Sequence, residues 1–376
     1  MGKKRICFDV ETPFQLFVSL CLLSELRKDA IEADLYIGMT FDKAESVYNR
    51  ICELKIFDEV YLYDPGRYKR TNIIKKMSIM LSPMKKLRAV LDRDVSLINI
   101  NYDEVYFSNV LVPGEAIVNI NENIHVFWID DGIGSYTGGL TDPVKFHRHY
   151  SFLYVMAGLN PSRLYPEAVY LLNPDYCGKH PFCEDIRKVP NNLTEEWDRI
   201  IRKVFDYKTS DLYVAPVAVY LTDTNDLGLV DNNRNELSEL QESIYDVCND
   251  NGYRLVRRKH PRELGDNVTP TYVDFETDTI NNMWELVSKD EITAQHVLIS
   301  WFSTAQFSPC LLYGKEPWVI FLYKIQRNGI DVNLRERLEQ GTEVLRSHYK
   351  EPNKVIVPET VEELDRVLSG IMNHSN

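Results

Sequence analysis

The sequence predicts an α/β fold with two Rossmann-like lobes that face each other across a cleft. Extended apolar runs alternate with helical patterns along most of the 376 residues. That alternation is typical of parallel sheets covered by helices on both faces. Prolines 174, 181 and 190 interrupt it near the middle, and a second alternating unit follows. We therefore predict domains over residues 1–185 and 211–376, joined by a linker over 186–210.

Each predicted element follows from an apolar run or a helical pattern and its flanking turn residues. The predicted strands are Lys4–Val10, Ala33–Met39, Glu59–Tyr63, Asp103–Phe107, His125–Ile129, Val217–Leu221, Tyr253–Arg257, Thr271–Phe275, His296–Ile299 and Trp318–Leu322. The predicted helices are Pro13–Lys28, Lys43–Leu54, Asn235–Asn249, Asn281–Lys289 and Thr304–Tyr313. A capping box from Thr360 to Glu363 opens a last helix, which we leave free to cross back to the first domain.

Composition excludes several classes of protein. The net charge of −13 argues against nucleic acid as a partner, since phosphate backbones select basic faces. No apolar run reaches the roughly 20 residues that span a bilayer. Seven cysteines without a Cys-x-x-Cys pair exclude a disulfide framework and a thiolate zinc site. These features predict a cytoplasmic protein.

Four short motifs at predicted strand ends could carry chemistry. Thr12 and Gln15 form a capping box around Pro13, and a helix start of this kind presents free amides to an anion. Asp130, Asp131 and Gly132 end an apolar strand, where α/β folds place ligands. A carboxylate there could act as a general base. The alternative is that Asp-Gly only forms a turn and has no chemical role. The lack of a nearby third acid makes a metal site less attractive.

The other two motifs lie in the second domain. Arg257, Arg258 and Lys259 lead into His260-Pro261, and we expect a bound phosphate to neutralise this basic cluster. A solvated basic edge is the alternative. Ser303 and Thr304 open a helix after a buried strand and could hold phosphate oxygens. Lys179-His180-Pro181 repeats the His-Pro letters, but it follows no predicted strand, and we treat it as a coincidence.

Two further segments are less specific. Residues 67–93 form a basic, methionine-rich stretch that includes Lys85, Lys86 and Arg88. It could meet an anionic membrane surface or glycan, or be an ordinary solvated face. His147 and His149 could share a strand face and bind metal, but further ligands are missing.

The order of the motifs resembles that of bacterial sialyltransferases. Those enzymes share an acidic pair followed by glycine, then a His-Pro dipeptide, then a Ser/Thr pair. The matching residues here are Asp130-Asp131-Gly132, His260-Pro261 and Ser303-Thr304. The run from Asp9 to Gln15 looks like the start of glycosyltransferase family 52, which contains lipooligosaccharide sialyltransferases and capsule relatives.

The resemblance implies a metal-independent, inverting enzyme of the GT-B fold. CMP-sialic acid would be the donor and a galactose-terminated surface glycan the acceptor, with no cofactor. Asp130 would be the general base, with Asp131 as the alternative. His260 would bind or protonate the donor phosphate, assisted by Lys259 and Pro261, and Ser303 and Thr304 would hold its oxygens. An acidic loop at Asp223 and Asp226 keeps a further choice of base open.

Two other functions fit the same residues. The chain could be another GT-B transferase of surface-polysaccharide synthesis with a different nucleotide sugar. It could also be a non-catalytic protein that binds a sugar nucleotide. The sequence leaves the acceptor, the linkage and a homodimer open.

Overall fold

The computed structural model describes residues 3–67, 78–91, 98–108, 111–148, 151–222, 234–263, 271–325 and 332–375. The chain divides into two compact units, residues 1–205 and 206–376. The division falls inside residues 186–210, for which the sequence predicts a linker. Those residues also contain a strand, Ile186–Lys188, and a helix, Glu195–Val204, which the irregular sequence conceals.

The first unit is built on a seven-stranded sheet in the order β3-β2-β1-β4-β5-β6-β7. Every strand pair in it is parallel. The strands are β1 (Lys4–Val10), β2 (Ile31–Gly38), β3 (Glu59–Tyr63), β4 (Glu104–Phe107), β5 (His125–Ile129), β6 (Ala168–Leu171) and β7 (Ile186–Lys188). The central strands are apolar on both faces, as a sheet covered by helices on both sides requires.

Eight described helices belong to the first unit. They are α1 (Pro13–Leu26), α2 (Ala44–Leu54), α3 (Pro83–Val90), α4 (Val112–Ile120), α5 (Gly134–Thr137), α6 (Pro143–Phe146), α7 (Ser151–Met156) and α8 (Glu195–Val204). Helix α1 is apolar around most of its circumference, and nine consecutive residues from Gln15 to Leu23 are buried. Such a helix forms because it is enclosed on several sides by the unit it belongs to.

The second unit contains a six-stranded sheet in the order β10-β9-β8-β11-β12-β13, again parallel throughout. Its strands are β8 (Val217–Leu221), β9 (Arg254–Arg258), β10 (Glu276–Thr277), β11 (Val297–Ser300), β12 (Trp318–Phe321) and β13 (Val355–Ile356). Its helices are α9 (Arg234–Asp250), α10 (Trp284–Asp290), α11 (Thr304–Tyr313), α12 (Val332–His348) and α13 (Val361–Ser375).

Helix α13, left free in the prediction to cross back, packs within the second unit. Leu364, Leu368 and Ile371 belong to the same buried cluster as Tyr220 of β8. Burying this apolar stripe against the sheet is what orders the end of the chain.

One predicted strand, Thr271–Phe275, is wrong, because the ladder begins one residue later at Glu276. Phe275 is apolar for a different reason. Its ring stacks on Tyr220 at 5.6 Å between centroids, so it packs in the core without pairing in the sheet.

Both sheets place their first strand next to their fourth. In the first unit β1 lies beside β4, and in the second unit β8 lies beside β11. At such a reversal the connections leave in opposite directions, which opens a crevice at the carboxyl ends of the two strands. The fold therefore singles out one edge in each unit as the place for a ligand. Over the described residues, no helix is long and apolar enough to cross a membrane.

Candidate functional site

Helix α1 starts at the carboxyl end of β1, as the sequence predicts. The Thr12 hydroxyl accepts a hydrogen bond from the amide of Gln15 at 3.1 Å, and Gln15 Oε1 accepts one from the amide of Thr12 at 3.2 Å. The capping box is thus complete, with Pro13 in the first turn. It fixes the Gln15 side chain at the edge of the sheet.

Gln15 joins three strand ends of the first unit. Its Nε2 donates to Ser108 Oγ and to Asp131 Oδ1, both at 2.6 Å. Ser108 follows β4 directly, and Asp131 lies just beyond β5. Sequence reasoning missed Ser108, although a polar residue after an apolar strand was the available signal.

Asp130 and Asp131 have different environments. Asp130 is fully buried, and its carboxylate accepts hydrogen bonds from the amides of Gly132 at 2.8 Å and Leu172 at 3.0 Å and from the Tyr136 hydroxyl. Burial raises the pKa of Asp130 to about 7, against the opposing effect of these donors. Asp130 therefore acts as an internal acceptor that holds the loop after β5.

Asp131 is only partly buried, and its Oδ1 faces Gln15 Nε2. Its backbone amide donates to Ser135 Oγ at 2.9 Å, so the loop is held from both sides. A partly exposed carboxylate with a fixed orientation is suited to accept a proton from a bound molecule. Of the two predicted acids, Asp131 has the more suitable position.

A second acidic group lies at the same edge, and sequence reasoning gave it no role. Asp9 of β1 is fully buried and accepts from Tyr63 Oη at 2.9 Å and from the Gly114 amide at 2.7 Å. Burial, and then the charge of Glu11, raises the pKa of Asp9 to about 8. Tyr63 Oη also lies 3.1 Å from Glu11 Oε1. The residue types around β1 thus keep a carboxyl group protonated near neutral pH.

In the second unit, α11 begins at the carboxyl end of β11, as predicted. Ser303 is its N-cap, and Gln306 completes the capping box by accepting from the Ser303 amide at 3.1 Å. Thr304, the first helical residue, is partly buried. A ten-residue helix with this start directs its first amides toward the strand edge, where they favour an anion.

His260 lies beyond β9, two strands away from β11. Its backbone amide donates to Thr222 Oγ1 at 2.8 Å and to Glu263 Oε1 at 2.9 Å. The ring Nδ1 accepts from the Arg262 amide at 3.1 Å, so a neutral ring carries its proton on Nε2. Burial, and then the charge of Arg262, lowers the pKa of His260 to about 4. His260 is therefore a neutral hydrogen-bond donor at pH 7.

The neighbouring arginines do not need an external anion, contrary to the sequence prediction. Arg257 is buried and pairs with Glu263, with Nη2 and Oε2 2.9 Å apart. Arg258 is buried and pairs with Asp278, with Nη1 and Oδ2 2.6 Å apart. Glu263 lies six residues after Arg257, whereas Asp278 lies 20 residues after Arg258, too far for the local charge pattern to reveal. Lys259 is partly buried, and Pro261 is exposed.

His180, in the other His-Pro dipeptide of the sequence, adopts the same local turn as His260. Its Nδ1 accepts from the Phe182 amide at 3.4 Å, as His260 does from Arg262. His180 is buried, however, and its ring meets Trp128 edge to face. The turn is thus a local property of His-Pro, and the surroundings decide what the ring can contact.

Other predicted sites are only partly covered by the structure. Asp223, Asp226, His149 and residues 68–77 and 92–97 lie outside the described residues. Lys86 is buried and pairs with Glu115, so it does not belong to an open basic face. In the described part of the chain, no group of three or more His, Cys, Asp or Glu residues is arranged to hold a metal ion.

Comparison with solved structures shows the GT-B fold. The GT-B domain of a sialyltransferase from Photobacterium damselae matches with a TM-score of 0.52 at 13% identity, covering 94% of this chain and 99% of that one. A second sialyltransferase structure, from Photobacterium damsela, matches at 0.51 and 13%, covering 95% and 82%. A putative UDP-N-acetylglucosamine 2-epimerase from Listeria monocytogenes matches at 0.50 and 10%, covering 99% and 88%.

No protein-family model matches the sequence, and no curated protein matches it significantly. Because the structural matches include a transferase and an epimerase, they establish the fold alone. The chemistry has to be argued from the residues at the two strand edges.

Proposed function

We propose that this chain is an inverting glycosyltransferase that moves sialic acid from CMP-sialic acid to a galactose-terminated bacterial surface glycan. The observation that supports it best is the pair of groups at the edge of the second sheet. A neutral histidine, His260, can donate from Nε2, and the N-terminus of α11 offers Ser303, Thr304 and free amides. Both are suited to bind the phosphate group of a sugar nucleotide.

The donor would bind with its phosphate at the start of α11. β9 and β11 are separated only by β8, so His260 and Ser303 follow strands that are about 10 Å apart, given the usual strand spacing. A phosphate with its attached sugar and nucleoside is long enough to contact both. Lys259 and Pro261 would flank it. The helix dipole and the hydroxyl groups would offset the phosphate charge without requiring a metal.

His260 would assist departure of CMP. When the bond from the sugar to the phosphate breaks, negative charge builds up on the phosphate oxygens. A hydrogen bond from His260 Nε2–H to one of these phosphate oxygens strengthens as the charge grows. The bound phosphate in turn raises the pKa of His260 from its low value in the free protein. His260 would therefore stabilise the leaving group more than the intact donor.

Asp131 would accept the proton of the acceptor hydroxyl as it attacks the anomeric carbon. We prefer Asp131 to Asp130, because Asp130 is fully buried and already accepts three hydrogen bonds. Gln15, held by Thr12, would orient the Asp131 carboxylate. General-base catalysis of this kind contributes about 10²–10⁴-fold to the rate.

The test is CMP release from CMP-sialic acid with lactose and lipooligosaccharide or capsule galactosides as acceptors. We expect turnover that His260→Gln and Asp131→Asn each lower by about 10²-fold or more, in keeping with the size of acid–base effects. His125→Gln, on an exposed histidine, is the matched control and should keep full activity. Parallel reactions with CMP-Kdo and UDP-sugars test the alternative donors. If no galactoside stimulates CMP release, the sialyltransferase proposal fails.

A further inference from the structure

Helices α6 and α7 of the first unit expose large apolar side chains. Such side chains are normally buried, and grouped exposure marks an interaction surface. We call these residues the apolar face. They are Val144, Phe146, Phe152, Val155 and Met156, with 41%, 58%, 74%, 71% and 71% of their surface exposed.

The apolar face is held by inward-pointing neighbours. Tyr154 and His147 are buried, and their rings lie 4.5 Å apart. The Tyr154 hydroxyl donates to Glu115 Oε1 at 2.9 Å. On helix α7, Phe152 and Met156 share one side because they are four residues apart. Each is two residues from Tyr154, which therefore projects on the opposite side. The apolar side chains are thus displayed on an anchored scaffold.

Glu115 also fixes a basic helix beside this face. Lys86 of α3 points inward and pairs with Glu115, and both side chains are buried. Burial alone would raise the pKa of Glu115, but Lys86 and then His147 outweigh it and hold the pKa below its usual value. Glu115 is therefore ionised, and its contacts with Lys86, His147 and Tyr154 hold α3 next to the other two residues.

Cationic side chains surround the clamped segments on the outside. Lys85 and Arg88 of α3 are exposed, and so are Lys145 and Arg148 next to the apolar face. Asp142 lies beside this rim, with its Oδ2 3.8 Å from Lys145 Nζ, so the four cations exceed this acid. This local excess of positive charge contrasts with the net charge of −13 of the whole chain. Apolar side chains beside a basic rim are the arrangement by which proteins enter the interface of anionic membranes.

We infer that the apolar face and its basic rim dock on a bilayer that contains anionic phospholipid. A second copy of the chain is less favourable, because its own rim would bring like charges together. The inference is independent of the proposed reaction and replaces the broader sequence prediction for residues 67–93. In that stretch, the Lys86 side chain is buried, while Lys85 and Arg88 are exposed and can contact a membrane surface.

The test is cosedimentation of the full chain, without substrates, with vesicles of phosphatidylcholine alone or with 30% phosphatidylglycerol, a composition chosen for roughly cellular charge. We expect binding only to the anionic vesicles and weaker binding at high salt. Phe152→Ser/Met156→Ser should weaken it about tenfold or more, as loss of two inserted side chains implies. Val214→Ser/Ile280→Ser, which changes two exposed apolar residues of the second unit, is the matched control and should bind normally.

Charge is tested in the same assay. Lys85→Glu/Lys145→Glu should abolish the preference for anionic vesicles, whereas Lys188→Glu/Lys203→Glu, on exposed lysines elsewhere, should keep it. Circular dichroism confirms that each variant is folded. Wild-type protein that binds neither kind of vesicle, or a Phe152→Ser/Met156→Ser variant that binds like wild type, overturns the inference. So does a wild-type dimer in sedimentation velocity that this variant converts to monomer, because the face would then belong to a second copy.

Discussion

Glu263→Ala removes a carboxylate that three donors of the second unit share. Glu263 accepts from Arg257 Nη2 at 2.9 Å, from the His260 amide at 2.9 Å and from the Thr222 hydroxyl. Both side chains of the ion pair are almost completely buried, at 2% and 0% exposure. The substitution leaves the Arg257 charge in the interior without this partner.

Breaking a buried ion pair from one side costs about 3–5 kcal/mol, mainly because the remaining charge is desolvated. We therefore expect Glu263→Ala to lower the free energy of unfolding by about that amount. Arg257→Met/Glu263→Leu removes both charges and keeps the volume. It should cost less than Glu263→Ala alone, since replacing a whole buried pair is often close to neutral.

Urea unfolding, followed by circular dichroism and fluorescence, gives the free energies from midpoint and slope. Glu25→Ala is the control, because Glu25 and Lys28 form an exposed pair with 54% and 68% of their side chains accessible. It should change stability by less than about 1 kcal/mol. The reasoning is refuted if Glu263→Ala is as mild as the control, or if the double variant costs more than Glu263→Ala.

Three further predictions concern stability. Asp9 has a pKa of about 8 in the folded protein, above its unfolded value, so the folded state holds this proton more tightly. The contribution of Asp9 to the free energy of unfolding therefore falls as pH rises from about 4 to 8. The urea midpoint of Asp9→Asn should therefore rise relative to that of the wild type across that range. A difference between the two midpoints that does not change with pH would contradict this. Gly341→Ala places a methyl group 2.7 Å from Phe302 and should lower the melting temperature, whereas Gly370→Ala, with nothing within 4 Å, should raise it. Thr12→Ala should cost about 1 kcal/mol in urea as the α1 cap is lost, and an unchanged midpoint would contradict it.

The sequence predicts most strands of both sheets because each is an apolar run that ends in turn residues. β1, β3, β5 and β8 match to the residue. Helix starts are also predictable, since a capping box is local, and Thr12 and Ser303 both form one. The strands β6, β7 and β13 were missed, and the three residues of β7 and two of β13 carry too little periodicity to be recognised.

Long-range partners decide what the sequence alone could not. Arg258 looked like part of an anion site, but its acid, Asp278, lies 20 residues further along the chain. Gln15 meets Ser108 across 93 residues, and no local pattern joins them. Asp130 and Asp131 are chemically identical and adjacent, so only the fold shows that one is enclosed by donors and the other is partly exposed.

The strand order also determines when each strand can pair during synthesis on the ribosome. β1 lies between β2 and β4, so it gains one neighbour early, whereas β4 begins only at Glu104. At about 5–20 residues per second, the other edge of β1 stays unpaired for roughly 5–20 s of synthesis. β8 waits in the same way for β11. Each newly made unit therefore spends seconds with one edge of an inner strand unpaired, and in that interval a chaperone would have most to protect.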